Sequence, residues 1–271
     1  MRKAAFLGKL YESEREMLDK QIRNCFERGP GSLPGSSRDK NLMAAIIPSC
    51  NYGVSGSVAA WGYKEIAESK IPEVFVILSR TDSGNKAYIS LEDFETPLGT
   101  IANAKIYLRN DNIVINDSIH NTERGIEIQL PFLQYISRDK IEKIRILPLL
   151  IGNCSFESLR SIANSVKNIS RKHLVIASCN LSYCGDFGKV PFRYNLEEEI
   201  EIIDTKAVEL IRNGDVEGFW KLADKFEMKD RRVIFVLLEV LRGRGGELLM
   251  YGDTKKVPGK EGFITYCSMV F

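Results

Sequence analysis

Five polar residues follow apolar runs that read as strands: Ser49 and Cys50 after Leu42–Ile47, Asp82 after Val74–Leu78, and Asn180 and Tyr183 after Leu174–Ser178. In a parallel sheet, chemistry gathers at the carboxyl ends of the strands. By ordinary ligand rules this mixture of hydroxyls, amide, thiol and a single carboxylate does not make a metal site. The chain has two histidines, His120 and His173. His173 opens the run His173–Ser178 and so starts a strand at the end away from the chemistry. His120, three positions before Glu123 in a loop near the pocket mouth, reads as a solvated loop residue, with a ligand or base as the alternative. A Cys179–His173 nucleophilic pair is out of reach, because a strand rises about 3.3 Å per residue.

The elements that position these residues alternate between helix and strand. Apolar spacing at Met17, Leu18, Ile22 and Phe26 predicts a helix over Glu14–Arg28. The breaker-rich stretch Gly29–Ser37 reads as a connection. Further helices are expected over Ser55–Ser69, Gly125–Ile136 and Phe156–Ile169, with strands at Leu42–Ile47, Val74–Leu78, Ile144–Ile151 and Leu174–Ser178. That alternation argues for a mainly parallel sheet flanked by helices. The C-terminal third reads as helices Glu197–Asn213, Val216–Phe226 and Val233–Leu241, closed by strands near Glu247–Tyr251 and Phe263–Phe271. The expected organisation is one α/β domain over residues 1–271.

Composition narrows the function classes. The chain has 271 residues, 44% apolar and 27% charged, with 38 basic and 36 acidic residues and a net charge of +2. That balance gives no broad footprint for nucleic acid or an anionic membrane, and clusters such as Lys255-Lys256 read as solvated turns. The opening Met1–Gly8 runs into charge at Lys9 and Glu12 and does not read as a signal peptide. No apolar stretch reaches the roughly 20 residues needed to cross a bilayer. The six cysteines lack the paired spacing of zinc sites, and a reduced cytoplasmic setting is expected.

Two longer motifs, Thr96-Pro97-Leu98-Gly99 and Ile126-Glu127-Ile128-Gln129-Leu130-Pro131-Phe132, make the chain recognisable. Together with the strand-end loops they resemble the Memo family, also called AmmeMemoRadiSam system protein B, which is similar in fold to class III extradiol dioxygenases. The resemblance extends over essentially the whole length. On it, the family's Pro-His-Ala-Gly-Tyr loop falls on Pro48–Tyr52 and its Gly-Pro-Asn-His loop on Ser79–Asp82. Its Ser-Asp-Leu-Ser-His-Tyr falls on Cys179–Cys184 and its Cys-Gly on Lys229-Asp230. The resemblance thus puts the family's three metal ligands, two histidines and a cysteine, on Ser49, Asp82 and Lys229. The remaining pocket His, Asp and His fall on Arg124, Asn180 and Tyr183.

The resemblance therefore implies a Memo-like α/β domain with a vestigial pocket of Ser49, Cys50, Asp82, Arg124, Asn180, Tyr183 and Lys229. The expected function is that of a catalytically degenerate binding or scaffold subunit with no cofactor. Family association points to AMMECR1-like or radical-SAM proteins as its partners. The alternative is a metal-dependent, dioxygenase-like redox enzyme with a soft-metal site rebuilt from Cys50, Asp82 and Cys184. Arg124 and Lys229 also have two readings. They hold an anionic ligand by charge-assisted hydrogen bonds, or they pair with Asp82 and Glu127 to fill the space a metal has left; the second is the expectation. A scaffold should show a filled cavity and an apolar surface patch elsewhere, and an enzyme an open polar cavity.

Overall fold

The computed structural model describes residues 1–188, 196–254 and 261–271; Lys255-Lys256 lies outside them. Among these residues ten strands are formed: β1 (Ala44–Ile47), β2 (Val74–Arg80), β3 (Ala87–Ile89), β4 (Phe94–Thr96), β5 (Gly99–Ile101), β6 (Ile113–Ile115), β7 (Arg145–Ile151), β8 (His173–Ser178), β9 (Glu247–Asp253) and β10 (Thr265–Val270). The helices are α1 (Arg15–Arg28), α2 (Tyr52–Ala67), α3 (Arg124–Glu127), α4 (Leu130–Ile136), α5 (Phe156–Lys167), α6 (Leu196–Arg212), α7 (Val216–Lys225) and α8 (Arg231–Leu241). Eight strands form one sheet in the order β6-β3-β7-β2-β8-β1-β10-β9, and β4 and β5 form a separate hairpin. The centre, β7-β2-β8-β1, is parallel, while β3, β10 and β9 join antiparallel.

The expected mixed, mainly parallel sheet is what forms. β8 lies between β2 and β1, which accounts for its unbroken apolar run. Side-chain alternation splits the core into two layers. Ala44, Ile46, Val74, Val76 and Leu78 face α5, α6, α7 and α8. Ala45, Ile47, Phe75 and Ile77 face α1, α2 and α4. On α1 the buried stripe is Leu18, Ile22, Cys25 and Phe26, whereas Met17 is exposed. No helix among the described residues is long and apolar enough to cross a membrane.

Two local expectations are corrected. The single helix expected over Gly125–Ile136 is broken into α3 and α4, with Pro131 in the first turn of α4. Proline has no N–H to continue the helical ladder, so a new helix starts there. The carbonyls of Ile128 and Gln129 instead accept the hydroxyls of Tyr52 at 2.7 Å and Tyr63 at 3.1 Å. His120 is buried, not solvated: its Nε2 lies 3.1 Å from the Tyr88 carbonyl and its ring packs edge-on against Phe94. Burial pushes its imidazole down to about 4, so it is neutral at pH 7.

Glu127 does not pair with Arg124 or Lys229. Its carboxylate is fully buried and accepts four hydrogen bonds from the N-terminal segment: Arg2 at 2.5 Å, the Ala5 and Phe6 amides at 3.0 Å each, and the Tyr11 hydroxyl at 2.6 Å. This closes the first eleven residues over α3. Removing one partner of a buried pair leaves an uncompensated charge. Glu127→Ala is expected to lower unfolding free energy by about 3–5 kcal/mol, read from urea denaturation.

Candidate functional site

Strand register sets the level of the site. Ile47 pairs with Ser178, and Leu78 with Ala177, so residues 49–50, 80–82 and 179–183 emerge together at the carboxyl ends of β1, β2 and β8. The start of α3 closes one side. The Ser178 hydroxyl donates to the Gly125 carbonyl at 2.6 Å, and a Cβ on Gly125 would collide with the Ser79 hydroxyl, so only glycine fits there. The Thr81 hydroxyl holds Glu123 at 2.5 Å. Arg124 is thus fixed between two anchored neighbours.

The centre of the site is an ion pair between Arg80 and Asp230. Arg80 Nε lies 2.9 Å from Asp230 Oδ1, and the Asp230 side chain is 2% exposed. Asp230 Oδ2 accepts the Asn180 amide at 2.7 Å and the Tyr183 hydroxyl at 2.8 Å. Asn180 continues the network: its Nδ2 donates to Ser49 Oγ at 3.0 Å and reaches Tyr183 Oη at 2.9 Å, while its Oδ1 accepts the Ser49 amide at 3.1 Å. Burial raises the Asp230 carboxyl above its ordinary range, and the Arg80 charge opposes that rise. Burial likewise pushes the Tyr183 phenol well up, so it remains a donor.

The other residues expected in the pocket take different places. Asp82 has an 86% exposed side chain and pairs with Arg80 at 2.6 Å. Lys229 donates to the Phe187 carbonyl at 2.6 Å, with Nζ 5.0 Å from the Tyr183 ring centre. Arg124 is exposed and forms no ion pair with any described residue. The expected pairing of Arg124 and Lys229 with Asp82 and Glu127 is therefore overturned. The reason is geometric: Arg80, two residues before Asp82, holds its carboxylate, and Glu127 faces the N-terminal segment.

Cys50, Asp82 and Cys184 are not brought together. Cys50 packs with Val58, Tyr183, Ile264 and Tyr266. Cys184 packs with Leu196, Ile200 and Phe263, and Asp82 faces solvent. Among the described residues no three His, Cys, Asp or Glu side chains converge on a common point. Burial pushes the Cys50 thiol up to about 11 and Cys184 to about 12, the reverse of an activated thiol.

The central residues that sequence reasoning passed over are Arg80 and Asp230. Both stood in the quoted loops, and each carried a signal. Arg80 ends a strand whose other six residues are buried, so its cation needs a partner. Asp230 occupies the N-cap of α8 but makes no side-chain cap bond, because its carboxylate turns inward to Arg80. There it also lies at the positive end of the α8 dipole.

All six cysteines are buried and free. At pH 7.5 the native protein is expected to release well under one equivalent of thionitrobenzoate from Ellman's reagent, against six in guanidinium. Cys50 labelling should appear only as pH nears its raised value of about 11. Rapid labelling of one thiol at neutral pH would contradict this geometry.

Comparison with known proteins places the chain. Residues 2–270 match the Memo-like protein family. A MEMO1 family protein of Methanopyrus kandleri is 28% identical over 291 residues, covering 100% of this chain and 98% of the relative. One from Thermotoga petrophila is 33% identical, covering 79% and 78%. Another, from Pyrococcus furiosus, is 30% identical, covering 82% and 80%. With a match along nearly its whole length, the chain belongs to the Memo-like protein family.

Proposed function

We propose that this chain is a pseudoenzyme of the Memo-like family, a binding or scaffold subunit whose pocket is built around an Arg80–Asp230 ion pair in place of a metal. The observation that carries the reading is the state of the three positions that the resemblance assigns to metal ligands. Ser49 Oγ accepts from Asn180. Asp82 points to solvent and Arg80. Lys229 adds a cation beside Tyr183. A hydroxyl, an ammonium and a carboxylate already held by a guanidinium do not fit a divalent cation. No catalytic step is assigned through one.

A scaffold needs an apolar surface away from this pocket, and the outer face of α6 supports that need. Ile202 is 71% exposed there, beside a groove of about 360 Å³ floored by Val208, Leu248 and Tyr251. The rim of this face is mixed in charge: Glu198, Glu201 and Glu209 stand with Lys206 and Arg212, and Lys206 pairs with Glu209 at 2.7 Å. The complementary partner is a segment that leads with apolar side chains and carries charges of both signs at its edges. Family association makes AMMECR1-like and radical-SAM proteins the first candidates to carry such a segment.

The test is metal analysis of protein purified without chelators or a histidine tag, repeated after incubation with iron, copper and zinc. The expected result is far below one metal per chain in every case. One tightly held metal per chain, lost on Asp82→Ala or Cys50→Ser, would overturn the proposal.

A further inference from the structure

The charges around the ion pair do not cancel evenly. Asp230 and Asp82 both bind the same guanidinium, Arg80. Among the described residues Lys229 and Arg124 are left without a carboxylate partner, and there Lys229 donates only to the neutral Phe187 carbonyl. Lys229 nevertheless shares one small region with Arg80. Arg80 lies 5.7 Å and Lys229 5.0 Å from the Tyr183 ring centre. Arg124 is fixed by its neighbours Glu123 and Gly125 at the ends of β2 and β8, and its charge acts on Cys50, Asp230 and Lys229.

The location is also where an open α/β sheet binds ligands. β8 is inserted between β2 and β1, so the strand order reverses at this end. Like charges held close together at a partly buried rim repel, and an anion placed between them relieves that repulsion. Exposed Arg124 supplies the planar fork suited to a carboxylate or phosphate, and half-buried Lys229 supplies a point charge.

We infer that Arg124 and Lys229 form the mouth of a binding site for a small oxyanion, a carboxylate or a phosphate, seated above the Arg80–Asp230 pair. This inference rests on the proposed function, since an anion is held where a family metal would otherwise dominate the local charge.

The test is an amide-resolved NMR titration at fixed ionic strength, with inorganic phosphate in one arm and acetate in the other. Saturable shifts confined to the neighbourhood of Arg124, Tyr183 and Lys229 are expected in at least one arm, and the tighter arm identifies the oxyanion. Arg124→Ala should weaken binding about tenfold or more, the loss of one charge-assisted donor. Asp82→Asn, at an exposed side chain, should strengthen it by removing a nearby negative charge. Lys221→Ala, on exposed α7 surface, should change nothing. Linear shifts without saturation in both arms, or unchanged affinity in Arg124→Ala, would overturn the inference. A chain that binds neither metal nor oxyanion keeps the proposed function and loses this site. One that holds a stoichiometric metal loses the proposed function, whatever phosphate does.

Discussion

Charge at the end of a buried strand must be compensated, and that requirement organises the carboxyl end of this protein's central sheet. β2 is buried along six of its seven residues and ends in Arg80. Its guanidinium reaches Asp230, which is 2% exposed and stands at the head of α8. A buried carboxylate is tolerable only with its oxygens occupied. Arg80, Asn180 and Tyr183 occupy them, and Asn180 passes the constraint on to Ser49. One ion pair thus joins the ends of β1, β2 and β8 to α8.

The residues that carry the family resemblance serve the frame rather than the pocket. Gln129 donates to the Pro48 carbonyl at 2.9 Å and to the Ser178 hydroxyl at 2.7 Å, and accepts Tyr63 at 2.6 Å. It pins the ends of β1 and β8 against α2. Thr96 binds Gln134 at 2.5 Å and receives the Leu98 amide at 3.0 Å, tying the β4–β5 hairpin to α4. Glu127 holds the N-terminal segment. None of these bonds needs a metal, so the frame is compatible with a pocket of quite different chemistry.

Much of the architecture was legible because burial on both faces writes long apolar runs, as in β2, β7 and β8. The short strands β3 to β6 were not legible: three residues are too few to show a period. His120 looked solvated because nothing in its local sequence reveals that Phe94 and Arg2 close over it. At the site, the loops were found but the pairing was not. Residue types announced that carboxylates and cations would meet there. Which ones met depended on side-chain direction at Arg80 and on an N-cap turned inward at Asp230, and both are tertiary facts.

The most direct measurement is a double-mutant cycle on Arg80→Met and Asp230→Asn by equilibrium urea unfolding. Each single variant is predicted to cost about 3–5 kcal/mol, because it strands a buried polar or charged partner. The double variant should cost far less than the sum, with a coupling of about 2 kcal/mol or more. Small, additive losses would mean that the pair does not hold the end of the sheet together, and the account of a pocket rebuilt around it would fail.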